Sequence, residues 1–383
     1  MPCTRAELEA REQLILAPFA QKSADTRGRK YIEEPPTWRT HYQRDRDRVI
    51  HSRAFRRLEY KTQVFLNGTG DHLRTRLTHT MEVAAITRNI ARALCLNEDL
   101  AETIALAHDL GHSPFGHSGE TVLHTLMKND GGFEHNRQSL RIVEELEQKY
   151  PNFPGLNLSW EVREGLVKHH TAYDHPGKRK GFDAKNSSLE AQIANLADEV
   201  TYHSHDLDDG LDSKLLDEKH LTKHVRIWGD ATRRVKRRHG DLPEECRRYF
   251  IIRCIIDDQV TDVVETTEQL ILEAGVNSAD EVRLQPQPLV RYSPKRRALN
   301  LELRKYLYQH LYYNPVVHGP NQRAVEMLGQ LFQHYLGHHG EIGEFSRKRA
   351  RKVGWKRAVC DYLAGFTDRY VMQEHERVFG VKV

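Results

Sequence analysis

The chain has 383 residues, enough for one large domain or two ordinary ones with a substantial core. Hydrophobic residues make up 38% and charged residues 29%, which is polar for this length yet short of a disordered composition. With no run of eighteen apolar residues and no apolar core in Met1-Pro2-Cys3-Thr4-Arg5-Ala6-Glu7, neither a membrane span nor a signal peptide is expected, and the sequence reads as a soluble cytoplasmic protein. Its five cysteines (Cys3, Cys95, Cys246, Cys254, Cys360) are scattered and lack Cys-x-x-Cys spacing, so they read as reduced thiols and not as a disulfide frame or zinc knuckle. The net charge of +4 is small but patchy. Arg233-Arg234-Val235-Lys236-Arg237-Arg238 and Arg347-Lys348-Arg349-Ala350-Arg351-Lys352 are dense cationic runs, most simply solvated helix faces, and otherwise surfaces for an anionic partner.

Residues 1–20 carry a short helical pattern, followed by a polar stretch with Gly28 and Pro35-Pro36 that reads as an arm. From Arg44 a charged helix is expected to run to about Lys61, then an extended piece from Thr62 to Leu66, closed by a turn at Asn67-Gly68-Thr69-Gly70. Neither a third glycine nor Gly-Lys-Ser/Thr follows, so dinucleotide and Walker chemistry are not supported. Helical periodicity then predicts helices at about 76–94, 98–110, 117–129, 136–150, 159–170 and 188–207. Further amphipathic segments follow around 213–238, 243–274, 299–311, 320–337 and 346–377. No useful strand alternation interrupts them, so the expected class is all-α, with no fixed-period repeat.

The chemistry concentrates in His108-Asp109-Leu110-Gly111-His112-Ser113-Pro114-Phe115-Gly116-His117-Ser118-Gly119-Glu120, where three histidines and two carboxylates fall within thirteen residues. Imidazole with carboxylate, and no thiolate, suits a borderline or hard divalent cation. His79, His108, Asp109 and Asp198 are the candidate ligands; two His and two Asp leave coordination positions open, as a catalytic ion requires, and fit Mn, Mg, Fe, Ni or Zn. Each of these residues alone would more often be a satisfied buried polar group. It is their grouping that favours a metal.

Arg76-Leu77-Thr78-His79-Thr80-Met81-Glu82-Val83, His108-Asp109-Leu110-Gly111-His112 and Ala197-Asp198-Glu199-Val200 reproduce the H…HD…D pattern of the HD-domain phosphohydrolases. Pro114-Phe115-Gly116-His117, Phe133-Glu134-His135-Asn136 and Asp198-Glu199-Val200-Thr201-Tyr202 resemble the deoxyguanosine triphosphate triphosphohydrolase (dGTPase) branch of that superfamily. The likeness runs from Arg44-Asp45-Arg46-Asp47-Arg48 to Asp206-Leu207-Asp208-Asp209-Gly210 and resumes, more weakly, at Asp361-Tyr362-Leu363-Ala364-Gly365-Phe366-Thr367-Asp368-Arg369. It implies an HD-domain helical bundle with additional C-terminal helices: an arm over 1–43, a metal-dependent core over 44–215, and a helical region over 216–383 packed on that core.

The resemblance further implies cleavage of a deoxynucleoside triphosphate (dNTP) between the 5′ oxygen and the α-phosphorus, releasing deoxynucleoside and inorganic triphosphate, with dGTP as the family's default substrate. It assigns catalysis to His117 and Glu120, which stand at i and i+3 so that the carboxylate can orient the imidazole, and leaving-group protonation to His135. It places Arg76 and His112 near the phosphates, where an anion would favour the protonated imidazole. Asp198, Tyr202 and Asp206 at i, i+4, i+8 share one helix face. By resemblance Tyr202 packs beneath the sugar where a 2′-hydroxyl would sit, and Asp206 and Gln63 meet the 3′-hydroxyl. The partners implied are a dNTP substrate, single-stranded DNA or a dNTP as effector, and further copies of the chain, a homo-oligomer with a hexamer favoured; no membrane is among them. Two other readings share parts of this pattern: another HD phosphodiesterase, acting on a cyclic nucleotide or guanosine tetraphosphate, and a nucleic-acid-binding regulator on the same fold.

Overall fold

The computed structural model describes residues 2–66, 72–169 and 179–380, and the turn expected at Asn67-Gly68-Thr69-Gly70 lies outside the described residues. Those residues are carried by helices, with no strand among them and only isolated bridges such as Arg29 to Ser159 and Thr62 to Thr75. The all-α class is therefore as expected. The chain folds into two compact units that interleave along the sequence. The first takes Met1–Val49, His79–Leu106 and Asn157–Asn314, the second Ile50–Thr78, Ala107–Leu156 and Pro315–Val383.

The first unit is built on the helix Leu189–Asp212. Ser188 starts it by accepting the Ala191 N–H at 3.4 Å. The helix was expected to stop near Leu207 but runs on, because Leu207 and Leu211 continue its buried face. It packs against Trp160–Val167, Glu244–Ala274 and Pro294–Leu307. Ile193, Val200, Val263 and Ile271 fill the core between them, each removing enough apolar surface from water to contribute roughly 1.5–3 kcal/mol. The N-terminal helix Arg5–Ile15 opens on a reciprocal cap between Thr4 and Glu7. Beyond it, the buried Glu190 carboxylate accepts the N–H groups of Gln21 at 2.9 Å and Asn97 at 3.3 Å, which ties the arm into this unit.

The expected 213–238 segment is two helices, Glu218–His224 and Arg226–His239. Asp217 caps the first, and an extended Val225 breaks the chain between them. Arg226–His239 buries Ile227, Trp228, Ala231 and Val235, while Arg233 pairs with Asp230 and Arg234 with Asp258. Its cationic run is thus the wet face of an amphipathic helix.

In the second unit Pro315–Gly337 packs against Gly116–Leu126, Trp355–Ala364 and Asp368–Phe379 around Leu123, Leu328, Leu331, Phe332 and Leu363. The segment expected over 346–377 is three helices, Glu344–Val353, Trp355–Ala364 and Asp368–Phe379. Gly354 at φ +82° and the Thr367 cap divide them, since a positive φ suits glycine and a threonine hydroxyl satisfies the Tyr370 N–H. The charged helix expected over 44–61 likewise divides, into His41–Ile50 and Arg53–Arg57, because the Ser52 hydroxyl accepts the Phe55 N–H at 3.0 Å and opens a new helix. The 136–150 helix ends early in a π turn over Ile142–Leu146.

Candidate metal and nucleotide site

Each unit holds one set of the residues singled out from the sequence. In the first, His79 and Asp198 meet directly: His79 Nε2 lies 2.9 Å from Asp198 Oδ1. The other His79 nitrogen, Nδ1, faces His205 Nδ1 at 3.2 Å, and His205 Nε2 contacts Glu82 Oε2. A chain of contacts thus fixes the ring of His79 from behind and aims Nε2 at the carboxylate, as histidines that ligate metals are usually held. His169 adds a further imidazole, with Nε2 at 3.7 Å from Asp198 Oδ2.

Further along the same helix, Tyr202 and Asp206 take up the expected positions one and two turns beyond Asp198. The Tyr202 ring stacks on Tyr312 at 5.8 Å between centroids, and the Tyr312 hydroxyl contacts Asp206 Oδ2. Asp206 is 1% exposed. A buried carboxylate is costly in a helix that needs only an apolar face, so this stripe serves something other than packing. His205 could have been found from the sequence, since it follows Asp198 by seven residues and so returns to the same face. Tyr312, on a separate π turn over Tyr308–Tyr312, gave no such periodic signal.

The second unit holds the denser set. After the helix Glu98–Ala107 the chain tightens into a 3₁₀ turn, His108–Gly111. Ser139 locks that turn, accepting the Gly111 N–H and donating to the His108 carbonyl, both at 2.8 Å. No larger residue fits at Gly111, because a Cβ there would stand 2.1 Å from the His135 carbonyl oxygen. Phe115 then adopts a left-handed φ of +61°, a strained conformation for an aromatic residue, and its N–H donates to Asp368 Oδ1 at 2.9 Å. Asp368 Oδ2 also accepts the Thr62 N–H at 2.7 Å. The C-terminal motif around Asp368 therefore supports the loop that presents His112 and His117.

Asp109 is buried and surrounded by cations or potential cations. Its Oδ1 lies 3.3 Å from His108 Nε2 and 3.0 Å from His112 Nε2, and its Oδ2 accepts from Arg76 Nη1 at 3.1 Å. Burial alone would raise its pKa, but His108, Arg76 and His112 outweigh burial and hold it well below the usual carboxylate range. For His112 burial dominates and, with Arg76 and His135 beside it, pushes the imidazole well below the usual histidine range. Asp109 opposes that shift only in part, and a phosphate nearby would favour the charged form expected from the sequence.

Glu120 is the centre of the remaining cluster. His135 Nδ1 lies 3.2 Å from both its oxygens, the His135 N–H donates to Oε1 at 2.9 Å, and His117 Nδ1 stands 3.5 Å from Oε2. Glu120 thus serves two histidines and not one, as its spacing from His117 alone had suggested. The two differ in access: the His117 side chain is 55% exposed and that of His135 5%. His112 stacks on His135 with ring centroids 4.0 Å apart. Burial works to raise the Glu120 pKa, yet His135, His117 and His112 hold it well below the usual range, so it is ionised. Gln63 Oε1 is buried without a hydrogen-bond partner, and so are both amide atoms of Asn136, beside His135. Buried polar atoms left unpaired in this way are groups a ligand or water would satisfy.

Within each set an imidazole nitrogen and a carboxylate oxygen stand about as far apart as two donors sharing one ion at roughly 2.0–2.2 Å, and no thiolate is among them. The residues present therefore fit a borderline or hard divalent metal. All five thiols are free, and none belongs to either set.

The chain matches two family models: one described as an HD domain, over residues 76–202, and one described as a phosphohydrolase-associated domain, over residues 290–377. It is 45% identical over 370 residues to a protein of Geobacter sulfurreducens, covering 96% of each chain. It is 47% identical over 371 residues to one of Thiobacillus denitrificans, covering 96% of this chain and 98% of the relative. It is 44% identical over 381 residues to one of Azoarcus, covering 98% and 99%. All three relatives are named deoxyguanosinetriphosphate triphosphohydrolase-like proteins. With the HD pattern, the associated C-terminal domain and near full-length identity of this order, the chain belongs to the deoxyguanosinetriphosphate triphosphohydrolase-like family of HD-domain phosphohydrolases.

Proposed function

We propose that this protein hydrolyses a dNTP, dGTP first among them, to the deoxynucleoside and inorganic triphosphate. The observation that carries the reading is the Glu120 carboxylate shared by His117 and His135 in a chain of this family. His79, His108, Asp109 and Asp198 are the residues that would hold the divalent metal, on their match to the family pattern. When bound, the ion polarises the α-phosphate and lowers the pKa of water.

The reaction adds the oxygen of water to the α-phosphorus, breaks the bond from that phosphorus to the 5′ oxygen, and delivers a proton to the 5′ oxygen. Arg76 and His112 neutralise phosphate charge, a task for which a planar guanidinium and an adjacent imidazole are suited. Glu120 keeps its two histidines oriented, so that either can give up a proton to a departing oxygen. His135, next to the unpaired Asn136 amide, is assigned protonation of the leaving group. His117, the more exposed of the two, is assigned to the attacking side. Tyr202 closes the space a 2′-hydroxyl would need, and Asp206 and Gln63 hold the 3′-hydroxyl.

The same reading carries a homo-hexamer and an anionic effector, single-stranded DNA or a second dNTP. Exposed Arg237, Arg238, Arg351 and Lys352 are the cations such a polyanion would meet. Metal-stripped protein incubated with each dNTP and with Mn, Mg, Fe, Ni or Zn in turn tests the central claim: inorganic triphosphate is the expected product, and pyrophosphate or a nucleoside monophosphate would overturn it. In the same assay His79→Ala and Asp109→Ala should each lose both bound metal and turnover while keeping their helical circular dichroism, and retained metal with full turnover would reject the ligand assignment.

A further inference from the structure

The helix Glu218–His224 and the π turn Tyr308–Tyr312 bring together three imidazoles that play no part in the site described above. His220 and His224 stand one turn apart, their ring centroids 4.3 Å apart. His310 brings its ring to 5.0 Å from that of His220. Tyr306 backs the group, with its ring 4.4 Å from His310 and its hydroxyl 2.7 Å from His220 Nδ1.

Packing does not explain this gathering, because His220 and His224 are exposed and His310 is only half-buried. Nor do ion pairs: among the described residues none of the three histidines has a carboxylate within salt-bridge reach. Three protonated imidazoles at such spacing would repel one another, whereas three neutral ones offer three lone pairs to a cation. Burial, with His220 and His224 alongside, already moves His310 below the usual histidine range.

We propose that His220, His224 and His310 form a second, surface metal site for a borderline divalent transition ion such as Zn²⁺. Two histidines at i and i+4 on one helix are a recurrent zinc-binding arrangement, and a third imidazole from another element leaves the fourth tetrahedral position to water. Tyr306 accepts from His220 Nδ1–H, which leaves Nε2 to bind the ion and fixes the ring, as a hydrogen-bonded partner does for most metal-ligating histidines. The Asp217 carboxylate, which caps the helix by accepting the His220 N–H at 2.8 Å, adds negative charge beside the ion. With His220 held by Tyr306, the rings of exposed His224 and half-buried His310 turn about χ1 and χ2 to bring their nitrogens to the ion. Bound there, the ion links the short helix to the π turn, which the ring contact between His220 and His310 also joins.

The test is the number of Zn²⁺ ions retained by the full chain after equilibrium dialysis against micromolar Zn²⁺. Wild type is expected to retain one more equivalent than His224→Ala or His310→Ala, and Tyr306→Phe to hold that equivalent about tenfold more weakly. Zn²⁺ should also raise the thermal midpoint of wild type more than that of either histidine variant. Asp109→Ala, which strikes the other metal site, should keep the surface equivalent, so failure of one assignment is told apart from failure of the other. Equal Zn²⁺ on wild type, His224→Ala and His310→Ala would overturn the proposal.

Discussion

The helix Leu189–Asp212 of the first unit and segment 107–141 of the second both carry buried charge, and they position it by different means. The helix does so by regularity: Asp198, Tyr202 and Asp206 occupy one face because an α-helix returns every 3.6 residues, and their neighbours His205 and Tyr312 complete the contacts. The segment does so by irregularity. A 3₁₀ turn, a glycine with no room for a side chain, a left-handed Phe115 and the Glu134 cap on Asn136 and Arg137, which opens a helix at His135, each turn a side chain that a straight helix would send elsewhere. Strain of this kind persists only where surrounding contacts hold it, and here Ser139, Asp368 and Lys61 supply them. On the function proposed above, this difference becomes a division of labour, with recognition of a rigid sugar on the regular element and proton handling on the irregular one.

The sharpest way to break that division is Glu120→Gln. Removing the charge that His117 and His135 share should lower kcat by about 10²–10⁴-fold and leave KM within a few-fold, since the loss falls on proton transfer and not on holding substrate. If KM rose steeply while kcat stayed put, Glu120 would belong with recognition and the division would fall. A smaller effect is expected from the stripe. Tyr202→Ala should lower discrimination between a dNTP and the corresponding ribonucleotide by about tenfold or more, because the space below the sugar is opened, with a lesser loss in kcat for the dNTP. An unchanged ratio of kcat/KM for the two substrates would remove Tyr202 from the sugar site.

The same contrast governs what could be read without coordinates. Hydrophobic periodicity located most of the helices, and the spacing 198, 202, 206 placed a stripe on one of them before any contact was known. Breaks within long periodic runs were harder, although their signals were present: Ser52 before Arg53-Ala54-Phe55, Gly354 between two basic stretches, and Thr367 before Asp368 are each a cap or a stop in an otherwise continuous pattern. In the irregular segment the histidines and carboxylates were visible as types, but not their pairing. Glu120 stands three residues from His117 and fifteen from His135, and the structure gives it to both. Contacts such as Tyr312 with Asp206, or Asp368 with Phe115, join residues 106 and 253 positions apart, and no local rule of spacing can announce them.

Lys61 offers the finest test of how the irregular segment is held. It is 2% exposed, and its ammonium donates to the carbonyls of His112 and Ala364, so it pins the backbone at one of the proposed phosphate-binding histidines. Burial, and then the Arg57 guanidinium, push its pKa down to about 7, against an ordinary lysine value of 10.5, with Asp368 opposing them only in part. Above about pH 7 the folded chain releases this proton while the unfolded chain keeps it until about 10.5, so across that window the unfolded state binds more protons and stability gained from this residue rises with pH. Below about pH 7 both states hold the proton, and the folded chain bears the full cost of the buried charge. Lys61→Met removes the titration together with two hydrogen bonds, and the lost bonds offset stability by an amount that varies little with pH. The difference between the urea midpoints of wild type and Lys61→Met should therefore move in favour of wild type from pH 7 to pH 9.5, while other titrating groups cancel in the comparison. Parallel midpoints over that range would show that Lys61 keeps its proton in the folded chain and that its charge, not a neutral amine, holds the His112 carbonyl.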